Sequence, residues 1–183
     1  MEPDIDTKPT GATLSKAQAM ELNKALAGRR AKVRYLTHFD TDRIYRRGIG
    51  DDSTIAKPRI TEDDRPEFNK SSRTGKMEQK QIDVITYAEN GTLYVLGKSG
   101  GISVFDGRSP NLPGSKKRPW YCCFVEKGAP IPKDLLLAKN VNLDPKTGLF
   151  HYAFQPAKDM TLAEFRKKLK ELDKYIKVIG WEI

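Results

Sequence analysis

Apolar residues recur along this chain in short bursts, separated by polar stretches rich in glycine and proline. The first burst has helical spacing. Ser15 stands where a cap is wanted, Ala19, Leu22, Ala25 and Leu26 share one face of a helix over Lys16–Ala27, and Gly28 supplies the stop. Val33–Leu36 and Arg43–Arg46 alternate as strands do. The runs Ile82–Tyr87 and Leu93–Leu96 flank Asn90-Gly91, a dipeptide suited to a tight hairpin turn. Ile102–Phe105 and the strongly apolar Trp120–Val125 read as further strands. Leu149–Gln155 reads as another, after the turn Asp144–Gly148. Thr161 and Glu164 form a capping-box pattern ahead of a helix. Leu162, Phe165, Leu169, Leu172 and Ile176 would line its buried face, and Arg166, Lys167, Lys168 and Lys170 its solvated one. Residues 1–12 read as a disordered lead, 13–183 as one domain, and 47–80 as a long loop with no periodic apolar pattern. The class is α+β: short strands in a split or mixed sheet with peripheral helices.

Charge narrows the partners. The formal net charge of +9 favours an anionic partner: nucleic acid, a dinucleotide, or an acidic protein. No apolar stretch approaches the ~18 residues of a membrane span. Met1–Pro9 lacks the apolar centre of a signal peptide, so any export is expected to use another route. Cys122 and Cys123 are adjacent, and neighbours on a strand point to opposite faces. They are expected as buried small apolar groups rather than a disulfide. With His38 and His151 as the only histidines, no metal site is expected. No phosphate-loop, hydrolase-elbow or dinucleotide glycine motif occurs.

One ordered set of motifs adds chemistry. Gly100-Gly101-Ile102-Ser103-Val104-Phe105-Asp106 places a hydroxyl near a strand start behind two glycines, which tolerate sharp bends and close approach. The proline-rich Ala129–Leu135, His151-Tyr152, Pro156-Ala157-Lys158-Asp159-Met160 and Trp181-Glu182 follow in order. This succession, from about residue 82 to the end, resembles the cytoplasm-acting type VI secretion effector toxins with an ADP-ribosyltransferase-like fold. The resemblance implies NAD as substrate. It also implies delivery by type VI components into a recipient cell's cytoplasm, a target protein or nucleic acid there, and a cognate immunity protein, expected to be acidic against this basic chain. It assigns Ser103 and His151 to catalysis, and Arg46, Tyr45, Ser103 and Tyr152 to the cofactor. Ile44-Tyr45-Arg46 is similar to the motif that supplies an NAD-contacting arginine. A planar guanidinium suits a diphosphate, and imidazole titrates near neutrality. Transferases of this fold generally place a glutamate on a late strand. Leu149–Gln155 has none, Gln155 is its nearest polar residue, and Glu182 is the remaining carboxylate candidate. Transfer of ADP-ribose and hydrolysis of NAD both stay open. A rival without catalysis is a basic nucleic-acid-binding module, for which Lys116-Lys117-Arg118-Pro119-Trp120-Tyr121 is the best feature.

Overall fold

Two capping boxes fix the helices. Ser15 and Gln18 exchange hydrogen bonds at the start of α1 (Lys16–Ala27), and Thr161 and Glu164 do so at the start of α2 (Leu162–Glu171). The computed structural model describes residues 13–47, 68–70, 77–79, 83–116 and 119–182. The expected disordered lead, and most of the expected loop 47–80, lie outside the described residues. Between the helices run β1 (Val33–Leu36), β2 (Arg43–Arg47), β3 (Phe68–Lys70), β4 (Met77–Gln79), β5 (Thr86–Glu89), β6 (Thr92–Val95), β7 (Ile102–Phe105), β8 (Trp120–Val125), β9 (Leu135–Asn140), β10 (His151–Pro156) and β11 (Met160–Thr161). A 3-10 turn, Leu172–Lys174, follows α2 and leads into β12 (Ile176–Glu182).

The strands form a seven-stranded sheet in the order β1-β9-β10-β7-β2-β8-β12, a three-stranded sheet β11-β6-β5 and the pair β3-β4. The α+β class and the split sheet are as expected. Every described pairing is antiparallel, so the large sheet is not mixed in strand sense. Two elements differ from the sequence reading. Leu135–Asn140, given no element in the sequence reading, is an inner strand of the large sheet. The last helix stops at Glu171, and Ile176 opens an edge strand instead of continuing the helical face.

Alternation decides which side of the large sheet is the core. Ile44, Ile102, Val104, Cys123, Val125, Leu135, Leu137, Tyr152 and Phe154 are buried together with Leu162, Phe165 and Leu169 of α2, and with Leu93 and Val95 of β6. A second cluster joins Ala19 of α1 to Ile85, Tyr87 and Leu96, with Leu22, Leu26 and Tyr94 against it. The two thiols are buried and unlinked; burial raises that of Cys123 to about 11. Among the described residues no helix is long and apolar enough to cross a membrane.

The motif residues Pro156 and Asp159 turn out to be fasteners. The Pro156 carbonyl accepts from the Lys98 N–H. Asp159 accepts from the Gly97 N–H at 2.9 Å and the Tyr87 hydroxyl at 2.7 Å, and Met160 pairs with Val95. This block ties the β5-β6 hairpin to β10.

Candidate functional site

The outer face of the large sheet collects the residues that the core does not use. In β7, Ile102 and Val104 face inward, which leaves Ser103 and Phe105 on the other side. Antiparallel register sets His151 opposite Phe105 and Ala153 opposite Ser103. It also sets Tyr45 opposite Phe105 on the other flank. Ser103 Oγ therefore lies 2.9 Å from His151 Nε2.

The two glycines make this approach possible. A Cβ at Gly101 would stand 2.1 Å from the Phe154 carbonyl oxygen of β10. Gly100 has φ +128°, and a Cβ there would lie 2.3 Å from the Asp83 carbonyl oxygen. Both glycines admit neighbouring backbone. The close approach expected of the glycines is, at Gly101, that of one strand to another.

The imidazole is oriented at its second nitrogen. His151 Nδ1 lies 3.4 Å from Asn140 Oδ1, at the end of β9. An amide oxygen only accepts, so Nδ1 carries the proton and Nε2 is left to accept from the Ser103 hydroxyl. Burial lowers the His151 pKa, opposed only in part by Asp144, and the ring is neutral at neutral pH. Phe105 packs edge-on against it, with ring centroids 5.3 Å apart, and Trp120 packs against Phe105 at 5.9 Å. The sequence reading missed Asn140 and Phe105. Asn140 carries no local signal, because only the β9-β10 pairing brings it to His151. Phe105 was visible within its motif but had no assigned part.

Arg46 follows Ile44 by alternation and so belongs to the inner side, where its charge acts on the Cys123 thiol. Its Nη1 nevertheless lies 3.5 Å from the Ser103 carbonyl oxygen, the long limit of a hydrogen bond. Among the described residues β2 and β7 are in register at Tyr45 and Phe105 alone. Tyr45 lies on the His151 side, beside Cys122. Gln155 shares the face of His151. Its Oε1 is shielded and has no hydrogen-bond partner among the described residues.

Tyr152 does not join the others. It neighbours His151 on a strand, so it points the opposite way, and only 2% of it is exposed. Its hydroxyl donates to Asp40 at 2.9 Å, and Lys139 donates to the other carboxylate oxygen at 2.6 Å. Burial alone would raise the Asp40 pKa, but these two donors outweigh it and hold it below its ordinary value. The Lys139 ammonium lies 4.5 Å and 5.2 Å from the Phe150 and Tyr152 ring centroids. Tyr152 thus packs in the core and anchors Asp40, on the side of β10 away from His151. The side chain of Glu182 lies outside the described residues.

The arrangement can hold a hydroxyl against a neutral base and beside a planar ring, with Arg46 reaching the Ser103 backbone from the inner side and, among the described residues, no carboxylate hydrogen-bonded to the hydroxyl or the base. A surface hollow of about 400 Å³ lies elsewhere, between Asp134, Met160 and α2. Among the described residues no three of His, Cys, Asp and Glu converge as metal ligands would. No curated protein sequence matches the chain. The family model of the Tse2 ADP-ribosyltransferase toxins matches residues 42–178, a span that includes Arg46, Ser103, Asn140 and His151. Over most of its length, then, this chain belongs to the Tse2 ADP-ribosyltransferase toxin family.

Proposed function

We propose that this protein is an antibacterial toxin that transfers ADP-ribose from NAD to an acceptor in a recipient cell's cytoplasm, after delivery by type VI secretion. The family supports the toxin and the transferase. The reading of the site rests on one observation, the 2.9 Å approach of Ser103 Oγ to His151 Nε2 beside Arg46. The residues suit NAD in kind: a guanidinium for the diphosphate, a hydroxyl for the ribose, and an aromatic ring and an unpartnered amide oxygen for nicotinamide. When bound, NAD supplies ADP-ribose with nicotinamide as leaving group. The chain's part is to orient and to move a proton. Asn140 holds the tautomer in which Nε2 is free, burial keeps the ring uncharged, and Nε2 then accepts a proton relayed through Ser103 from the attacking nucleophile. No glutamate is assigned a part. A cognate acidic immunity protein would find this basic chain quickly by charge.

The test is release of free nicotinamide from NAD by the purified protein. Native protein is expected to release it, with and without an added acceptor if water serves. Ser103→Ala and His151→Ala should each fall by about 100-fold or more. Folded native protein that leaves NAD intact would defeat the proposal. In cells, expression in the cytoplasm should arrest growth and export to the periplasm should not.

A further inference from the structure

We infer that the acceptor is a single-stranded nucleic acid, held on a platform formed by Arg43, Phe124 and Lys177. The word acceptor rests on the transfer reading above; the binding site itself does not.

Register places these three side chains in one row across β2, β8 and β12: Phe124 is opposite Arg43 on one flank and Lys177 on the other. The row is on the outer face, which also carries Tyr45, Phe105, Ser103 and His151. Phe124 is 43% exposed although the other five residues of its strand are buried. A single exposed ring is ordinary on a protein surface; what sets this one apart is the cations that flank it on both sides. The Arg43 guanidinium lies 4.9 Å over that ring. Arg43 and Lys177 are themselves exposed. A guanidinium and a ring, stacked and open, with a second cation across the strand, match alternating bases and phosphates. An acidic protein surface would engage the two cations equally well but would have no base to stack on the ring.

The platform connects with the candidate active site. Arg43 lies two residues from Tyr45 on the same face of β2, Tyr45 is in register with Phe105, and Phe105 packs on His151. Three interstrand steps and two residues along a strand separate Phe124 from His151 by about 16 Å, a reach of a few nucleotides. The basic run at residues 116–121 does not compete. Its Trp120 and Tyr121 are buried, and Lys117 and Arg118 lie outside the described residues.

The experiment is fluorescence anisotropy with labelled single-stranded DNA and RNA oligonucleotides, at about 50 mM and about 200 mM salt. It is run without NAD, on native protein and on Ser103→Ala, so that absence of catalysis leaves the binding result intact. Both single strands should bind, more tightly at low salt, because stacking and phosphate contacts ignore the 2′-hydroxyl. Phe124→Ala should weaken binding by about 5- to 100-fold. Phe124→Trp should bind at least as well as native, which guards against a variant that loses its fold. Arg43→Gln and Lys177→Gln should each lower the salt slope by about one. The inference is overturned by no binding at low salt, by Phe124→Ala binding like native, by loss of binding in Phe124→Trp, or by tighter binding of a duplex of equal length.

Discussion

Gly101→Ala places one methyl group between β7 and β10. The new Cβ would lie 2.1 Å from the Phe154 carbonyl oxygen, 2.6 Å from its carbon and 2.9 Å from Gln155 Cγ. The first two are backbone atoms of a central strand and cannot swing away. To reach the 3.0 Å that real contacts keep, the strands must part by about 0.9 Å. Ser103 is two residues along the moving strand. Its 2.9 Å contact with His151 would stretch to about 3.8 Å, outside hydrogen-bond range. Overpacking of this kind costs about 1–3 kcal/mol. For a chain of this length that is a fall in melting temperature of about 2–12 °C. A misplacement near 1 Å costs turnover about 100-fold. Thermal unfolding and nicotinamide release, measured on one preparation, give both numbers. If turnover disappears while the melting temperature holds, the glycine serves a ligand and not the strand. If both hold, the β7-β10 spacing does not control the site.

Three other outcomes follow from the same geometry. Tyr152→Phe removes a donor to Asp40 and should lower stability by about 1–3 kcal/mol while nicotinamide release persists; lost turnover with an unchanged melting temperature would restore Tyr152 to the site. The depressed pKa of His151 means that its neutral form contributes stability above about pH 6.5, lost as pH falls through the folded value. Turnover should share that acid limb, His151→Gln should flatten the stability profile, and an acid limb above pH 6.5 would contradict burial as the controlling effect. Asn140→Ala leaves the imidazole free to choose its tautomer. Turnover should fall by less than the ~100-fold expected for His151→Ala, with KM for NAD unchanged; a rise in KM alone would make Asn140 a binding residue.

Much of this protein follows from short-range rules that its sequence states outright. Ser15 with Gln18 and Thr161 with Glu164 begin both helices, because a cap is settled within one turn. Asn90 and Gly91 adopt positive φ in the hairpin their dipeptide predicts. The opposed faces of Cys122 and Cys123 follow from the two-residue period of a strand. The same period, applied to His151 and Tyr152, already separates that pair. What lay beyond local reading was strand partnership. Leu135–Asn140 becomes a strand because β1 and β10 lie on either side to receive it, and Ile176 leaves the helical face because β8 offers an edge. The meeting of Ser103, His151 and Asn140 is of the same kind. Three side chains from β7, β10 and β9 converge only when those strands are laid side by side, and the stretch between Ser103 and His151, 48 positions apart, carries no trace of it. Caps and turns are fixed by neighbours a few residues away. A register is fixed by the burial of whole faces, and that is a property of the assembled sheet.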